Sequence, residues 1–273
     1  IHIHHAESGF ITPILRLRYR VICTLHGVFR DSDPKFSKFH NSFFRFSERL
    51  NIIFANKVIS VSEPDKNYIL KKYNRNIIYI PNGINILNLD FSSADKNKES
   101  YISFAAGRIY EIKGLDLLIN ACKLSNFNKK IKVAGDLDQV NSYKKKIIKI
   151  SKDINIDFLG MITKKEKLYR FISGSDFFVF PSLTEAMSIM LLEVASLKVP
   201  MIVSDIPSNK AVFDEDEVLF FKTGDEIDLS KKIIYANDNP DKMQYYAKNA
   251  YDKLFDNHLW KNIANKYDKI IRG

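Results

Sequence analysis

Two glutamates follow a buried apolar segment at a spacing that suits the binding of a hydroxyl-rich ligand. They are Glu185 and Glu193 in PSLTEAMSIMLLEVASLKVPMIVSD, residues 181–205. A helix beginning near Ala186 to Ser188 would direct free N–H groups and a positive dipole end at the strand end before it, which favours an anion there. Glu185 would accept hydrogen bonds from sugar hydroxyls, and Glu193, two turns further on the same face, from a second unit such as a ribose. The alternative is an ordinary first-turn Glu185 and a solvated Glu193.

Two basic residues follow another predicted strand end, in the segment GRIYEIKG, residues 107–114. Arg108 directly follows Gly107, and Lys113 comes five residues after the arginine. A guanidinium fork and a mobile ammonium suit a pyrophosphate and would stabilise charge that develops on a leaving phosphate. The pattern is weak alone, since Lys113 could remain solvated at a helix start. It becomes strong together with the glutamate pair in the same predicted sheet.

Histidines and an acidic pair near the start of the chain raise the question of a metal site. Strand alternation would place His2 and His4 on one face and His5 on the other, so we expect no shared metal site. The segment DSD at 31–33 is spaced like a metal-binding motif but precedes Pro34, and we interpret it as turn chemistry. The basic residues and the helix N-terminus already offset the charge of a diphosphate, so we expect no metal and no other cofactor.

Alternating strands and helices must position these residues. Uninterrupted apolar strands such as FFVF at 177–180 indicate a parallel sheet covered on both faces by helices. A polar stretch over 85–100 interrupts the alternation, which then restarts. The pattern predicts an α/β protein with two Rossmann-like domains that face each other across a cleft, with ligands bound beyond the carboxyl ends of the strands. The predicted strands lie at 21–25, 57–62, 77–80, 101–105, 131–134, 156–159, 177–180, 200–204 and 218–221; the helices lie at 35–54, 64–73, 113–124, 138–152, 164–173 and 187–197, with mostly helix over 226–273.

Composition excludes several classes of protein. The 273 residues are 45% hydrophobic and 27% charged, which excludes general disorder. Two cysteines cannot form a disulfide framework or a four-cysteine zinc site, and they favour a reducing, cytoplasmic compartment. The net charge of +10 fits a phosphate-bearing substrate, an anionic membrane or plain compositional bias. No nucleic-acid-binding motif is found, and we expect no nucleic-acid partner.

The segment GRIYEIKG, the two glutamates eight residues apart and IPNGIN at 80–85 together resemble the retaining family 4 glycosyltransferases (glycosyl transferase group 1) of the GT-B fold. The resemblance covers nearly the whole chain and is most specific over 101–205. It implies the transfer of a hexose or N-acetylhexosamine from a nucleotide diphosphate sugar to a glycan or lipid-linked acceptor, with retention of anomeric configuration. Surface polysaccharide or glycolipid synthesis is the implied setting.

The resemblance also implies a role for each matching residue. Arg108 and Lys113 would bind the diphosphate, Glu185 would face the donor sugar and Glu193 would contact the ribose. His26, in the segment TLHG at a strand end, resembles the family's active-site histidine; the alternative is a histidine satisfied in a turn. The implied catalytic residues are His26, Arg108, Lys113 and Glu185, and the implied donor-binding residues are Gly107, Arg108, Lys113, Gly160, Met161, Glu185, Ala186, Met187, Ser188, Ile189 and Glu193.

The predicted domains are a partial acceptor-side domain over 1–95, a nucleotide-sugar-binding domain over 96–255, and a C-terminal helix over 256–273 that packs back on the first domain. The family's first domain normally opens with further βα units, including a glycine-rich loop. We therefore expect this chain to bind a nucleotide sugar but to transfer it poorly or not at all. The alternatives are a GT-B sugar-nucleotide epimerase, which needs no acceptor, and a non-catalytic nucleotide-sugar-binding module. The sequence leaves the oligomeric state open.

The helix predicted over 35–54 combines aromatic and basic residues at helical spacing. Phe36, Phe39, Phe43, Phe46 and Leu50 would share a stripe, with Lys35, Lys38, Arg45 and Arg49 nearby. Such a helix could dock on an anionic membrane and give a peripheral position on the inner membrane face. The alternative is an ordinary core helix with a basic rim.

Overall fold

The computed structural model describes residues 1–4, 6–28, 38–85 and 100–273, except the side chains of Ala6 and Lys38. His5, the acidic segment at 31–33, the start of the helix predicted over 35–54 and most of the polar stretch at 85–100 lie outside these ranges. The chain divides into two compact units. Unit 1 comprises Ile1–Gly83 and Trp260–Gly273, and unit 2 comprises Ile84–Leu259. The sequence analysis places these divisions after residues 95 and 255.

Unit 1 is built on a parallel sheet of four strands in the order β1-β2-β3-β4. Its helix Glu63–Tyr73 follows the local sequence closely: Ser62 is the N-cap and accepts from the Asp65 N–H, and Pro64 lies in the first turn. The elements are β1 His2–Ile3, a 3₁₀ helix Ala6–Phe10, α1 Thr12–Arg16, β2 Ile22–Leu25, α2 Lys38–Phe54, β3 Lys57–Ser60, α3 Glu63–Tyr73 and β4 Ile78–Tyr79.

Unit 2 is built on a parallel sheet of six strands in the order β10-β9-β8-β5-β6-β7. All four residues of β8 are buried, so both faces of this strand are covered, as its apolar sequence predicts. The elements are β5 Tyr101–Arg108, a 3₁₀ helix Glu111–Lys113, α4 Leu115–Leu124, β6 Lys130–Asp136, α5 Asn141–Ile150, β7 Ile156–Gly160, α6 Lys165–Ser173, β8 Phe177–Phe180, α7 Ile189–Ser196, β9 Met201–Ser204, α8 Pro207–Lys210, β10 Leu219–Phe221, α9 Glu226–Asp238 and α10 Pro240–Asn257.

The C-terminal helix α11, Trp260–Arg272, belongs to unit 1, which confirms the prediction that it returns to the first domain. Its Ile263 is fully buried in one cluster with Ile22, Ile59 and Ile80. Arg20 donates to the carbonyl oxygen of Ile270 at 2.9 Å, and this contact satisfies an acceptor in the last turn of the helix.

Both cysteines are free and buried, Cys23 in unit 1 and Cys122 in unit 2. Burial raises the pKa of each thiol to about 12, so neither is a reactive nucleophile. None of the helices within the described ranges combines the length and the hydropathy that a membrane span requires.

Candidate functional site

The predicted donor-site residues of unit 2 follow the carboxyl ends of parallel strands. Arg108 is the last residue of β5 and aligns with Asp136 of β6. Gly160 ends β7, and Glu185 lies in the loop after β8. Because all strands of this sheet are parallel, these loops share one edge, where open α/β sheets bind ligands.

Lys113 and Glu185 form a direct ion pair at this edge. The Lys113 Nζ lies 2.5 Å from Glu185 Oε1, and the two side chains are only 22% and 15% exposed. The structure therefore brings together two residues that are 72 positions apart. A pair of this kind presents both a cation for a phosphate and a carboxylate acceptor for a sugar hydroxyl.

Backbone contacts hold the two loops that carry this pair. The Leu183 N–H donates to the Ile112 carbonyl oxygen at 2.8 Å, which fastens the β8 loop to the 3₁₀ helix of Lys113. Gly114 has φ +68°, and a Cβ there would lie 2.1 Å from the Pro181 carbonyl oxygen, so only glycine permits this close approach. The Ser204 hydroxyl donates to the Ser182 carbonyl oxygen at 2.6 Å and fixes the β8 loop to β9.

The expectation that Glu185 and Glu193 share a helix face is wrong. Helix α7 begins only at Ile189, so Glu185 lies in the preceding loop. Ala186, Met187 and Ser188 also precede the helix, with Met187 buried and Ser188 at the N-cap position. Ser188 has extended backbone angles, φ −80° and ψ 117°, so it cannot be part of the helix. The helix therefore begins at Ile189 rather than at residue 187, where the sequence pattern predicts it.

Glu193 is buried rather than solvated, and two residues of α6 bind its carboxylate. Lys165 Nζ and the Tyr169 hydroxyl each donate to Glu193 Oε1 at 2.9 Å. The hydrogen bond to Glu193 raises the pKa of Lys165, and burial followed by the charge of Glu193 raises that of Tyr169. Sequence reasoning missed both partners. The only feature of the sequence that points to them is that Lys165 and Tyr169 are four residues apart, which puts them on one face of a helix.

Two glycines leave space near the strand ends. A Cβ at Gly107 or at Gly160 would meet no atom within 4 Å, and Gly160 has φ +66°. Met161, which follows Gly160, is 50% exposed. Arg108 is also exposed. These residues thus face open space, where a ligand's base or phosphates have access.

Unit 1 carries three neighbouring imidazoles: His4 and His26 follow the ends of β1 and β2 and stack on each other, and His2 is the first residue of β1. His4 Nδ1 lies 3.2 Å from His26 Nε2, and the rings of His2 and His4 have centroids 4.2 Å apart. His2 Nε2 lies 2.8 Å from the Thr24 hydroxyl. Burial first, then the charges of His4, the amino terminus and His26, lowers the pKa of His2. Within the described ranges, no three His, Cys, Asp or Glu side chains are arranged to hold a metal ion.

Comparison with known proteins gives consistent matches for both units. The profile of the glycosyl transferases group 1 matches residues 88–253, and that of glycosyltransferase family 4 matches residues 1–86. An uncharacterised glycosyltransferase of Methanocaldococcus jannaschii is 30% identical over 62% of this chain and 38% of its own length. A UDP-Gal:alpha-D-GlcNAc-diphosphoundecaprenol alpha-1,3-galactosyltransferase of Escherichia coli is 23% identical over 99% of this chain and 73% of its own.

A solved structure extends the match to three dimensions. Anabaena HepE in complex with UDP superposes with a TM-score of 0.84 at 16% identity, and the match covers 99% of this chain and 78% of HepE. At this identity the likeness shows the fold, which is GT-B as predicted. The chain spans less than half of the first curated relatives it matches, 26% and 38% of their lengths.

Proposed function

The chain belongs to the glycosyl transferases of group 1, and from this membership we propose that it transfers a sugar from a nucleotide diphosphate sugar to a glycan or lipid-linked acceptor. Three of the curated relatives are named as O-antigen enzymes, which supports a role in surface polysaccharide synthesis. The E. coli relative uses a UDP-sugar by its name, and HepE binds UDP, so uridine nucleotide sugars are the first donors to test.

The single observation that carries the proposal is the ion pair of Lys113 with Glu185 at 2.5 Å, on a strand-end edge that also holds Arg108. Arg108 and Lys113 supply two positive charges for a diphosphate, and Glu185 supplies an acceptor for a sugar hydroxyl. A donor carries both a diphosphate and sugar hydroxyls. When it binds, Lys113 would contact the diphosphate and Glu185 a sugar hydroxyl, so each residue of the ion pair would keep a favourable contact. Glu193 would receive the ribose through the carboxylate that Lys165 and Tyr169 hold in place.

The proposed reaction is a same-face substitution with retention. The bond between the anomeric carbon and the diphosphate oxygen breaks, and the acceptor oxygen forms its bond to that carbon on the same face. The proton of the acceptor hydroxyl passes to the departing phosphate oxygen. Arg108 and Lys113 stabilise the charge that develops on the leaving group, and His26 of unit 1 would hydrogen-bond the sugar or acceptor beside the anomeric carbon.

The E. coli relative names an acceptor on a polyprenol, and such acceptors reside in membranes. We extend the proposal to a lipid-linked acceptor and to a peripheral position on the inner face of the membrane.

Product formation with and without acceptor tests the reaction type. A transferase releases free nucleoside diphosphate rapidly only when acceptor is present. Conversion of the donor to an epimer without acceptor would identify an epimerase. Donor binding without turnover on any acceptor would contradict catalysis by this chain.

A thermal-shift screen of nucleotide sugars identifies the donor, since a ligand at one hundred times its Kd adds about 2.7 kcal/mol of stability.

Substitution of the basic residues tests the site itself. We expect Arg108→Ala and Lys113→Ala each to weaken donor and free nucleoside diphosphate alike, by about 1.5–3 kcal/mol for a charge-assisted contact. Calorimetry measures both ligands. Lys149→Ala is the matched control, because Lys149 lies near the end of α5, at the opposite edge of the sheet from the carboxyl ends of the strands. Unchanged nucleoside diphosphate binding in both site variants would contradict the assignment.

A further inference from the structure

Three buried polar residues of unit 2 connect the loop that carries Glu185 to the neighbouring strand and helix. They are Ser182 in this loop, Ser204 at the end of β9 and Asn209 in α8, and each is at most 1% exposed. The three other residues of β9 are apolar and buried. Burying a hydroxyl or a carboxamide costs free energy unless the group is hydrogen-bonded, so these side chains need partners in the interior. We call the three residues the polar bridge.

Hydrogen bonds run through the polar bridge in one direction. Asn209 donates through Nδ2 to the Ser204 carbonyl oxygen at 2.9 Å and to the Ser204 hydroxyl at 3.3 Å. The Ser204 hydroxyl donates in turn to the Ser182 carbonyl oxygen at 2.6 Å. Because a carbonyl oxygen only accepts, the Asn209 amide must present its nitrogen to Ser204. A serine hydroxyl has a single hydrogen, and here it points at Ser182.

The segment that carries Asn209 is itself fixed to the sheet. Asp205, which follows β9, accepts from the Thr223 N–H at 2.9 Å and from the Thr223 hydroxyl at 2.7 Å. The Asn209 carbonyl oxygen accepts from the N–H groups of Val212 and Phe213, both at 3.0 Å. Asn209 therefore donates to Ser204 from a position that cannot shift without breaking these bonds.

Glu185 lies just beyond the point where the polar bridge holds its loop. It comes three residues after Ser182, and Thr184 between them is exposed. The backbone bond from Leu183 to Ile112 acts on the same start of the loop. The position of the Glu185 carboxylate thus depends on the direction in which the chain leaves residues 181–183. The Ser204 hydroxyl helps to set this direction from the side of β9.

Net stability does not explain why Ser204 and Asn209 are both polar. An intramolecular hydrogen bond adds little net stability, because water would satisfy the same groups in the unfolded chain. Replacing both partners by apolar groups of the same shape can be nearly neutral. A fully satisfied polar network does restrict the interior to one arrangement. The polar bridge therefore acts mainly on position, and the functional group whose position it sets is Glu185.

We propose that Ser204 and Asn209 are positioning residues for the donor sugar. They hold the Ser182 carbonyl oxygen and so determine where the β8 loop places the Glu185 carboxylate, beside Lys113 Nζ at 2.5 Å. The inference rests on the proposed function and deepens it, because Glu185 is the residue proposed to accept from a sugar hydroxyl. A nucleoside diphosphate has no such hydroxyl to offer. The polar bridge should therefore matter more for the sugar of the donor than for its diphosphate.

Calorimetry with UDP, UDP-galactose and UDP-glucose tests this distinction in the full chain. Ser204→Ala and Asn209→Ala each remove hydrogen bonds of the polar bridge. We expect each to lower the affinity for the UDP-sugar that the parent binds by about fivefold to tenfold, the size of one lost hydrogen bond, and that for UDP by less than about twofold. Hydrogen exchange of the peptide over 181–188, measured without ligand, should be faster in both variants than in the parent.

Ser103→Ala is the matched control. Ser103 is fully buried in β5, five positions before the strand end, and its hydroxyl donates to the Ser175 hydroxyl at 2.8 Å. The substitution removes the same kind of bond from the same unit. We expect it to lower the denaturant concentration at which unit 2 unfolds, as Ser204→Ala does, but to leave both affinities and the exchange of residues 181–188 unchanged.

The double variant Ser204→Ala/Asn209→Leu separates position from stability. It leaves no amide without a partner, so it should unfold at no lower denaturant concentration than Ser204→Ala, yet it should keep the loss of UDP-sugar affinity. Recovery of that affinity in the double variant, or equal losses for UDP and UDP-sugar in the single variants, would overturn the inference and leave the proposed function in place. A parent chain that binds neither UDP nor the two UDP-sugars would contradict the uridine donor proposed above. Unchanged loop exchange in the variants would overturn the inference whatever the donor.

Discussion

The two units hold their strand-end side chains in different ways. Unit 2 pairs opposite charges: Lys113 with Glu185 at 2.5 Å and Lys165 with Glu193 at 2.9 Å. Unit 1 stacks imidazoles, with His4 at 3.2 Å from His26. An ion pair fixes geometry by attraction between opposite charges, whereas imidazoles in contact repel one another when more than one is protonated. The two units therefore position the side chains at their strand ends by different interactions: opposite charges in unit 2 and ring contacts in unit 1.

The largest effect should follow from breaking the loop contact behind the Lys113–Glu185 pair. Gly114→Ala forces an L-residue to φ +68° and a Cβ to 2.1 Å from the Pro181 carbonyl oxygen. The backbone conformation alone costs about 1–2 kcal/mol, and the collision adds to it. We expect unit 2 to unfold at clearly lower denaturant concentration by far-UV circular dichroism, and nucleoside diphosphate binding to fall.

Gly107→Ala is the matched control for that change, because a Cβ at Gly107 would meet nothing within 4 Å and its φ lies outside the left-handed region. It should unfold like the parent chain. If the two alanine variants unfolded at the same denaturant concentration, the close approach at Gly114 would not hold the site together.

An intermediate effect should follow from removing the partners of Glu193. Tyr169→Phe removes a hydrogen bond to a buried carboxylate, and we expect the free energy of unfolding to fall by about 1.5 kcal/mol. Lys165→Met removes an ion pair whose lysine side chain is 74% exposed, and this should cost less than about 1 kcal/mol. Hydrogen exchange of the peptide that spans Ile189–Ser196 measures both. A larger loss for Lys165→Met than for Tyr169→Phe would mean that charge rather than burial decides how Glu193 is held.

The smallest effect should be the response of unit 1 to pH. The pKa of His2 is lowered in the folded chain, so as pH falls below about 6.5 the unfolded chain takes up this proton first. Folding stability is then lost with falling pH, until the pH passes below the folded pKa. Denaturant titrations followed by Trp260 fluorescence at several pH values measure this loss.

His2→Gln should reduce the pH dependence of unit 1, while His40→Gln, a histidine of the same unit outside the cluster, should leave it in place. A His2→Gln variant with the full pH dependence of the parent would show that His2 does not cause the pH dependence of unit 1.

Much of the fold follows from local sequence. The apolar strands of both sheets and the helix that returns to the first domain match the prediction. Local patterns succeed for the strands because the run of apolar residues that predicts a buried strand lies within a few positions. The donor-site residues were chosen from spacing and family resemblance, and their roles stay predictions that the binding experiments above address.

The sequence by itself determined which residues are apolar, which are charged and how they recur, and this was enough to predict two Rossmann-like units and the strand ends that carry Arg108, Lys113 and Glu185. Only the tertiary structure decided which groups meet: Lys113 with Glu185, Glu193 with Lys165 and Tyr169, and His4 with His26. It also decided that α2 turns its phenylalanines outward and its polar residues inward. The physical reason is that periodicity fixes the side of a helix on which apolar residues lie, whereas the rest of the chain fixes which side is covered.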